Sequence, residues 1–206
     1  MELIIFDEDE KHLQINDFCA ETPEDCRAFW RELRDKYAGY DVDFCYHNCD
    51  VPIDFMEEIG AVMLESCVEM RVAQENFSPV FGDEMTPVTD ENFAVFAAVH
   101  DKTNPGMYWT SERIARDLDR WRIYTREDSY VMISLWDDIA EIFALEAADS
   151  EEGAALLSAA AEFAFGAGKT GVLFMVDDGA EIQCEAARIV GFAACGRYTA
   201  YRGVVE

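Results

Sequence analysis

Basic residues are scarce in this sequence: 16 lysines and arginines stand against 43 aspartates and glutamates, which gives a formal net charge of −27 at pH 7. The acids are spread over both halves of the chain rather than gathered in a tail. Because no basic stripe is present to neutralise phosphates, binding to a nucleic-acid backbone is excluded. The acidic field keeps a chain soluble, and where it serves recognition it favours cationic partners such as amines.

Long apolar segments are also missing. The longest apolar helical stretch, residues 154–167, is interrupted by Ser158 and Glu162, so we expect no membrane-spanning segment and no membrane partner. Residues 1–6 are apolar but run straight into DEDE without a basic stretch, so we expect no signal peptide. The 7 cysteines have no regular spacing, which is typical of reduced thiols in a cytoplasmic protein.

The composition itself is that of a globular protein, since 50% of the 206 residues are hydrophobic. The pattern of elements repeats when the chain is laid on itself with an offset of 130. MELIIFDEDEKHLQIN then falls beside VMISLWDDIAEIFALE, and ETPEDCRAFWRELRDKY beside EEGAALLSAAAEFAFGA. Both copies predict a hairpin, a helix, a strand, a short helix, a glycine and a final strand. The sequence therefore indicates a partial tandem duplication.

The predicted boundaries follow from this repeat. Residues 1–77 form a half unit, and residues 83–206 form a complete α/β unit. A linker is expected at 78–87, where Pro79, Gly82 and Pro87 break any periodic pattern. Residues 88–121 have no partner in the first copy and contain two predicted helices, the second capped by Thr110 or Ser111.

The complete unit ends in ARIVGFAACGRYTAYRGVV, a predicted short helix that runs to "GF" and is followed by a strand. On these residues the unit resembles the GNAT-fold N-acetyltransferases, the Gcn5-related superfamily. The stretch ARIVGFAACGRYTAYRGVV resembles that family's C-terminal signature, in which a short helix ends at "GF" and the next strand ends in tyrosine. Residues 140–178 resemble the core strand, pyrophosphate loop, helix and following strand, and residues 87–121 resemble the first two helices. The resemblance implies an α/β (α+β) fold with a mixed sheet.

The resemblance also implies acetyl-CoA as cofactor. In the family, backbone groups of the core strand hold the pantetheine, which here implies Leu145, Glu146 and Ala147. Amides of the next loop and helix start hold the pyrophosphate, which implies Gly153, Ala154 and Ala155. Helix N-termini do stabilise anions through free amides and the helix dipole. Yet the family's arginine or glutamine is missing, and DSEEG brings carboxylates into the approach, so ordinary helix capping explains the same residues.

The chemistry implied by the resemblance is direct attack of an amine on the thioester within a ternary complex. Tyr201 occupies the family's general-acid position, with Tyr198 as the reserve; on a strand the two point to opposite faces. Glu141 or Glu146 is the candidate general base. Met107, Tyr108 and Trp109 lie where the family shapes the acceptor pocket, and the acceptor is expected to be a small cationic amine or a peptide amine.

Two cysteine patterns are weighed against this chemistry. Cys45, His47 and Cys49 place three soft ligands on one predicted strand face, but a zinc site needs a fourth ligand, so reduced cysteines and no metal are expected. Cys195 has no base placed near it and is expected to be a core residue.

Three functions stay open from the sequence. The first is an acetyl-CoA-dependent N-acetyltransferase. The second is a catalytically degenerate GNAT-fold protein that binds a ligand or partner with weak or no CoA binding. In the third, the half unit, which has Met70 and Cys67 at the positions of Tyr201 and Tyr198, extends the sheet or supports a homo-oligomer.

Overall fold

A computed structural model describes residues 2–7, 11–80, 85–105, 107 and 109–205. The chain divides into two compact units. The first consists of Met1–Val68 and Gly196–Glu206, and the second of Glu69–Cys195. Among the described residues, no helix combines the length and apolar character needed to cross a membrane.

The first unit is a mixed sheet with helices. Its elements are β1 (Glu2–Asp7), β2 (His12–Asn16), α1 (Pro23–Tyr37), β3 (Asp41–His47), α2 (Ile53–Glu58), the first part of β4 (Val62–Ala73) and the second part of β10 (Ala193–Val204). Strand β1 is antiparallel to β2, β2 is parallel to β3, and β3 is antiparallel to β10. Helix α1 begins in a capping box between Thr22 and Asp25, which satisfies amides at the helix start.

The second unit contains the remaining elements. They are β5 (Thr86–Pro87), α3 (Phe93–Thr103), α4 (Ser111–Arg116), β6 (Trp121–Arg126), β7 (Ser129–Leu135), β8 (Ile139–Glu146), α5 (Ser150–Gly166), β9 (Gly171–Asp177) and α6 (Glu181–Val190). The strand order is β9-β8-β7-β6-β5, with β4 on the other side of β9. The pairs from β5 to β8 are antiparallel, and β8 and β9 run parallel.

Alternation along β7 places a helical layer on each face of this sheet. Tyr130 and Met132 join an apolar cluster with residues of α3 and α4. Val131 and Ile133 point to the opposite face, where α5 packs against the strands. The predicted cap of α4 is confirmed, because the Thr110 side chain accepts a hydrogen bond from the Arg113 amide.

The final strand of each predicted copy belongs in part to the unit formed by the other copy. By the sequence offset, β4 corresponds to β10. From Gly196 onward β10 belongs to the first unit and pairs with β3, whereas from Glu69 onward β4 belongs to the second unit and lies beside β9. Each unit is therefore completed by a strand from the other predicted copy. The boundaries 1–77, 78–87 and 83–206 stay predictions, and residues 81–84 of the expected linker lie outside the described part of the chain.

Three local expectations are corrected. Cys195 is exposed rather than buried, because the first residues of β10 are all solvent-facing. Strand β3 ends at His47, so Cys49 lies in the following turn and does not continue the face of Cys45. Helix α5 begins at Ser150, which makes Gly153 its fourth residue rather than its opening residue.

The glycine that ends α6 has a strict structural requirement. Gly191 has φ +100°, and a Cβ there would lie 2.3 Å from the Asn76 carbonyl oxygen. Gly179 has a similar φ of +89° but open space around it.

We expect Gly191→Ala to lower the free energy of unfolding by about 3 kcal/mol or more, because backbone strain and a clash add together. Gly179→Ala, the matched control, is expected to cost only the strain of about 1–2 kcal/mol. Urea denaturation of both variants measures the difference. Equal losses would show that the approach to Asn76 carries no cost.

Candidate active site

The parallel strands β8 and β9 separate partway along their length. Their ladder runs from the pair Ile139/Gly171 to the pair Ile142/Phe174. Beyond it β8 continues to Glu146 and β9 to Asp177, so the β9 side of 143–146 makes no ladder bonds with β9. An unpaired strand edge offers amide and carbonyl groups to a ligand that carries amides of its own.

A β-bulge lies at the point where the strands separate. Met132 of β7 pairs with Ala144 of β8, but the next residue, Ile133, pairs with Ile142. Phe143 is the extra residue, and a bulge increases the local twist and bends its strand. The bend gives a physical reason for β8 to leave β9 here.

The bulge also sets the side-chain faces of the candidate bases. Glu146 pairs with Tyr130 and Glu141 pairs with Ser134, and both project on the side of α3 and α4. The Glu141 carboxylate accepts a hydrogen bond from Trp136 Nε1 at 3.1 Å. The charge of Glu146 contributes to the raised pKa of Tyr130, so its carboxylate lies within electrostatic reach of that hydroxyl.

The start of α5 carries an internal carboxylate. The Glu152 carboxylate accepts hydrogen bonds from the Ala148 amide at 3.1 Å and from the Ser129 hydroxyl at 2.6 Å. Arg126 Nε lies 3.9 Å from its other oxygen. The Glu152 amide in turn donates to the Asp149 carboxylate at 2.8 Å. Two negative charges of the chain therefore occupy part of the helix start.

The amides predicted for the pyrophosphate are largely used inside the helix. The Gly153 amide donates to the Asp149 carbonyl oxygen at 3.0 Å, and Ala154 and Ala155 are buried one turn into α5. Of the four amides that a helix start leaves without an intrahelical acceptor, those of Asp149, Ser150 and Glu151 remain.

Close packing of α5 against α6 is enough to explain why residue 153 is a glycine, so no ligand is needed to account for it. A Cβ on Gly153 would lie 2.9 Å from Ala186 of α6 and 3.4 Å from Ala147. Helix α6 also reaches the strand edge, because Gln183 Nε2 lies 3.5 Å from the Leu145 carbonyl oxygen. The predicted cofactor residues are thus brought together, but the chain itself contacts several of them.

A buried network fixes the predicted acceptor loop. His100 donates from Nε2 to the Trp109 carbonyl oxygen at 2.7 Å, and its Nδ1 lies 2.7 Å from the Tyr130 hydroxyl. The Asn104 side chain donates to the same hydroxyl. Burial of Tyr130 raises its pKa to about 12, so the phenol keeps its proton at neutral pH. These three side chains were not found from the sequence, because their pairing spans about 30 residues.

The loop itself lies next to an aromatic cluster. Trp109 packs edge-on against Trp121 and Phe143, and Met107 is half-buried. Tyr108, the third predicted acceptor residue, lies outside the residues that the structure describes.

The two predicted acids belong to the first unit, whereas Glu146 and the cofactor residues belong to the second. Tyr201 pairs with Phe44 and packs against the apolar cluster of the first unit. The Tyr198 hydroxyl donates to Cys45 Sγ at 3.1 Å, and burial raises the pKa of Tyr198 well above its usual range. This hydrogen bond and the raised pKa make Tyr198 a poor proton donor.

The cysteine–histidine motif is divided among different partners. Burial raises the pKa of Cys45 to about 11, so it stays a thiol. Cys49 Sγ donates to the Asp17 carboxylate, and the His47 amide donates to the same group. This arrangement does not direct the three ligands of the motif to one point.

No protein-family model matches the chain, and no curated protein matches it significantly. Solved structures do match. A GCN5-related N-acetyltransferase from Sphaerobacter thermophilus is 14% identical, with 96% of this chain and 74% of that chain covered and a TM-score of 0.67.

Two further structures agree. A GNAT-family acetyltransferase from Colwellia psychrerythraea is 12% identical, covering 95% of this chain and 78% of its own, with a TM-score of 0.61. A tandem GNAT protein from the clavulanic acid biosynthesis pathway is 11% identical, with 95% of this chain and 76% of that chain covered and a TM-score of 0.62. At these identities the likeness is one of fold. The chain has the mixed α/β fold of the GCN5-related N-acetyltransferases, as the sequence resemblance predicted.

Proposed function

We propose that the chain transfers an acetyl group from acetyl-CoA to an amine by direct attack in a ternary complex. The observation that carries this proposal is the bulged strand β8, which leaves β9 after Ile142 and opens a polar strand edge beside a helix start. When bound, acetyl-CoA supplies an activated thioester carbonyl and a thiolate leaving group.

The residues present fit the two ends of this cofactor unequally. The free edge of 143–146 suits the amides of a pantetheine arm. The helix start still offers three amides, but the fixed Glu152 carboxylate lies beside them and repels a pyrophosphate. We therefore expect weak cofactor binding.

Glu146 is the base that this geometry favours. It lies on the α3–α4 face, next to the bulge and to the anchored loop, whereas the Glu141 carboxylate already accepts the Trp136 N–H. In the proposed reaction Glu146 takes a proton from the attacking amine, directly or through water. Tyr201 remains our proposed donor to the leaving thiolate, supported by the family resemblance.

The second candidate function is a degenerate GNAT-fold protein that binds a ligand or partner without transferring acetyl groups. The position of Glu152 favours it, because a carboxylate that accepts an amide and a hydroxyl replaces an external anion.

We further propose that residues 1–77 are a degenerate half unit. The element order matches in both segments. Gly60 and Gly191 each follow a short helix, and both glycines have a positive φ. The fold match to a protein described as a tandem GNAT protein supports the same reading. Strand β2 pairs with β3 along its whole length, so these two strands leave no opening like that between β8 and β9.

Calorimetry with acetyl-CoA and CoA tests the cofactor proposal. We expect weak binding by the wild type and about tenfold tighter binding by Glu152→Gln, because the variant keeps an acceptor for the Ala148 amide but removes the charge. Glu151→Gln is the matched control: its side chain is exposed, and it removes the same charge one residue earlier.

Equal gains in the two variants would assign the effect to net charge rather than to the Glu152 contacts. No heat from wild type and variants at millimolar cofactor would reject the acetyltransferase and leave the degenerate function.

Replacement of the proposed base gives the second activity prediction. We expect Glu146→Gln to lower kcat by roughly 10²–10⁴-fold, because no carboxylate is left to accept the proton. Glu141→Gln is the control and is expected to change kcat much less. Similar losses in both variants would take the role of base away from Glu146.

Replacement of the proposed general acid, Tyr201, gives the third prediction about function. Tyr201→Phe is expected to lower turnover with little change in CoA affinity, since the ring still packs and only the hydroxyl is lost. Tyr198→Phe, which removes a buried hydroxyl bonded to Cys45, serves as control. Unchanged turnover in Tyr201→Phe would remove Tyr201 from the mechanism.

A further inference from the structure

Arg120 lies within a cluster of three tryptophans. Its guanidinium carbon is 4.7 Å from the ring centre of Trp109, 5.0 Å from that of Trp121 and 5.3 Å from that of Trp136. These residues include three of the chain's four tryptophans. Stacking against several rings fixes the plane of a guanidinium while leaving its N–H groups at the edge.

Arg120 has no ion-pair partner among the described residues. By contrast, Arg27, Arg116 and Arg202 each bond a carboxylate. A guanidinium stays charged at all accessible pH values and has five donors. A half-buried charge of this kind lacks the acceptors that normally offset its desolvation.

A second donor of the same cluster also lacks an acceptor. Trp121 is only 6% exposed, and its Nε1 has no hydrogen-bond partner within the described structure. Buried N–H groups are almost always bonded, and an orphaned one calls for a partner that the chain does not supply. Two neighbouring orphan donors, one of them charged, match an anionic acceptor.

The cluster lies beside the proposed reaction centre. The Phe143 ring, which belongs to the bulge residue, packs edge-on against Trp121 at 4.9 Å and against Trp109 at 6.5 Å. Trp136 is 45% exposed, so the cluster is open to solvent on that side. The Glu141 carboxylate, bonded to Trp136 Nε1, places a negative charge at the same edge.

We propose that this cluster, Arg120 with Trp109, Trp121 and Trp136, binds the carboxylate of the acceptor, which is therefore an amino acid or the C-terminal residue of a short peptide. The guanidinium edge and the Trp121 N–H hold the carboxylate, while the ammonium end meets the acidic side chains near the bulge. Identification of this ligand as the acceptor rests on the proposed function; the carboxylate site itself does not.

Tryptophan fluorescence titration tests the site without any cofactor. The probes are glycine, leucine and phenylalanine, each paired with its amide, which removes the carboxylate charge and leaves the amine. We expect at least one free acid to change the emission saturably and to bind about tenfold or more tightly than its amide, because hydrogen bonds to charged groups are the strong ones.

Variants assign the effect to the cluster. Arg120→Gln is expected to abolish the preference for acid over amide, Arg120→Lys to weaken it, and Trp121→Phe to weaken it while keeping the ring packing. Arg122→Gln is the matched control, since Arg122 stacks on Phe163 instead and follows Arg120 by two residues. Melting temperatures of all variants show whether each one is folded.

The outcomes separate this proposal from the proposed function. Saturable acid-selective binding that Arg120→Gln removes supports the site even if CoA never binds. The proposal is overturned if no acid binds, if the amides bind as tightly as the acids, or if folded Arg120→Gln keeps the selectivity. Acetylation that prefers amines without a carboxylate would overturn the identification of this ligand as the acceptor, while leaving the proposed acetyltransferase function intact.

Discussion

The candidate site depends on one extra residue in strand β8. Phe143 has no partner on β7, because the register steps from Ala144 to Ile142 opposite consecutive residues of β7. The strand bends there, its pairing with β9 ends at Ile142, and a polar edge is left open. The same residue turns its ring to the α3–α4 face, where it contacts Trp109 and Trp121. The bulge therefore affects both the open strand edge and the aromatic cluster that Phe143 contacts.

The helix start beside this opening has the fold's geometry but not its usual electrostatics. A free helix N-terminus stabilises an anion through amides and dipole. Here the Asp149 and Glu152 carboxylates accept from the amides of Glu152 and Ala148, so the chain supplies its own anions. Position in the fold favours a phosphate, whereas the side chains oppose it. In the proposed function, the balance of Coulomb repulsion against hydrogen bonds from the amides decides whether a pyrophosphate binds here.

The second face of the site is built from contacts between distant residues. His100 and Asn104 of the α3 region anchor the loop to Tyr130 of β7, and Trp109 then meets Arg120. Among the described residues, neither the Arg120 guanidinium nor the Trp121 N–H has an acceptor. These two donors are the basis of the proposed carboxylate site.

The sequence by itself determined the fold class, the order of hairpin, helix and strand in both segments, and the glycine after each short helix. These features arise from local periodicity and capping, which neighbouring residues carry. Glu146 and the residues of the helix start stay predicted site residues, and the sequence took Gly153 for the helix opening. The cap is the carboxylate of Asp149, and Gly153 is explained by its approach to Ala186.

Only the tertiary structure decided which strand completes which unit. Two strands related by the predicted repeat have similar patterns, and pairing preference between such strands depends on long-range packing rather than on local sequence. That exchange places Tyr201 beside β3 and puts β4 beside β9. The Arg120 cluster was likewise hidden, because its three rings come from a loop and two different strand ends that meet only when the sheet has formed.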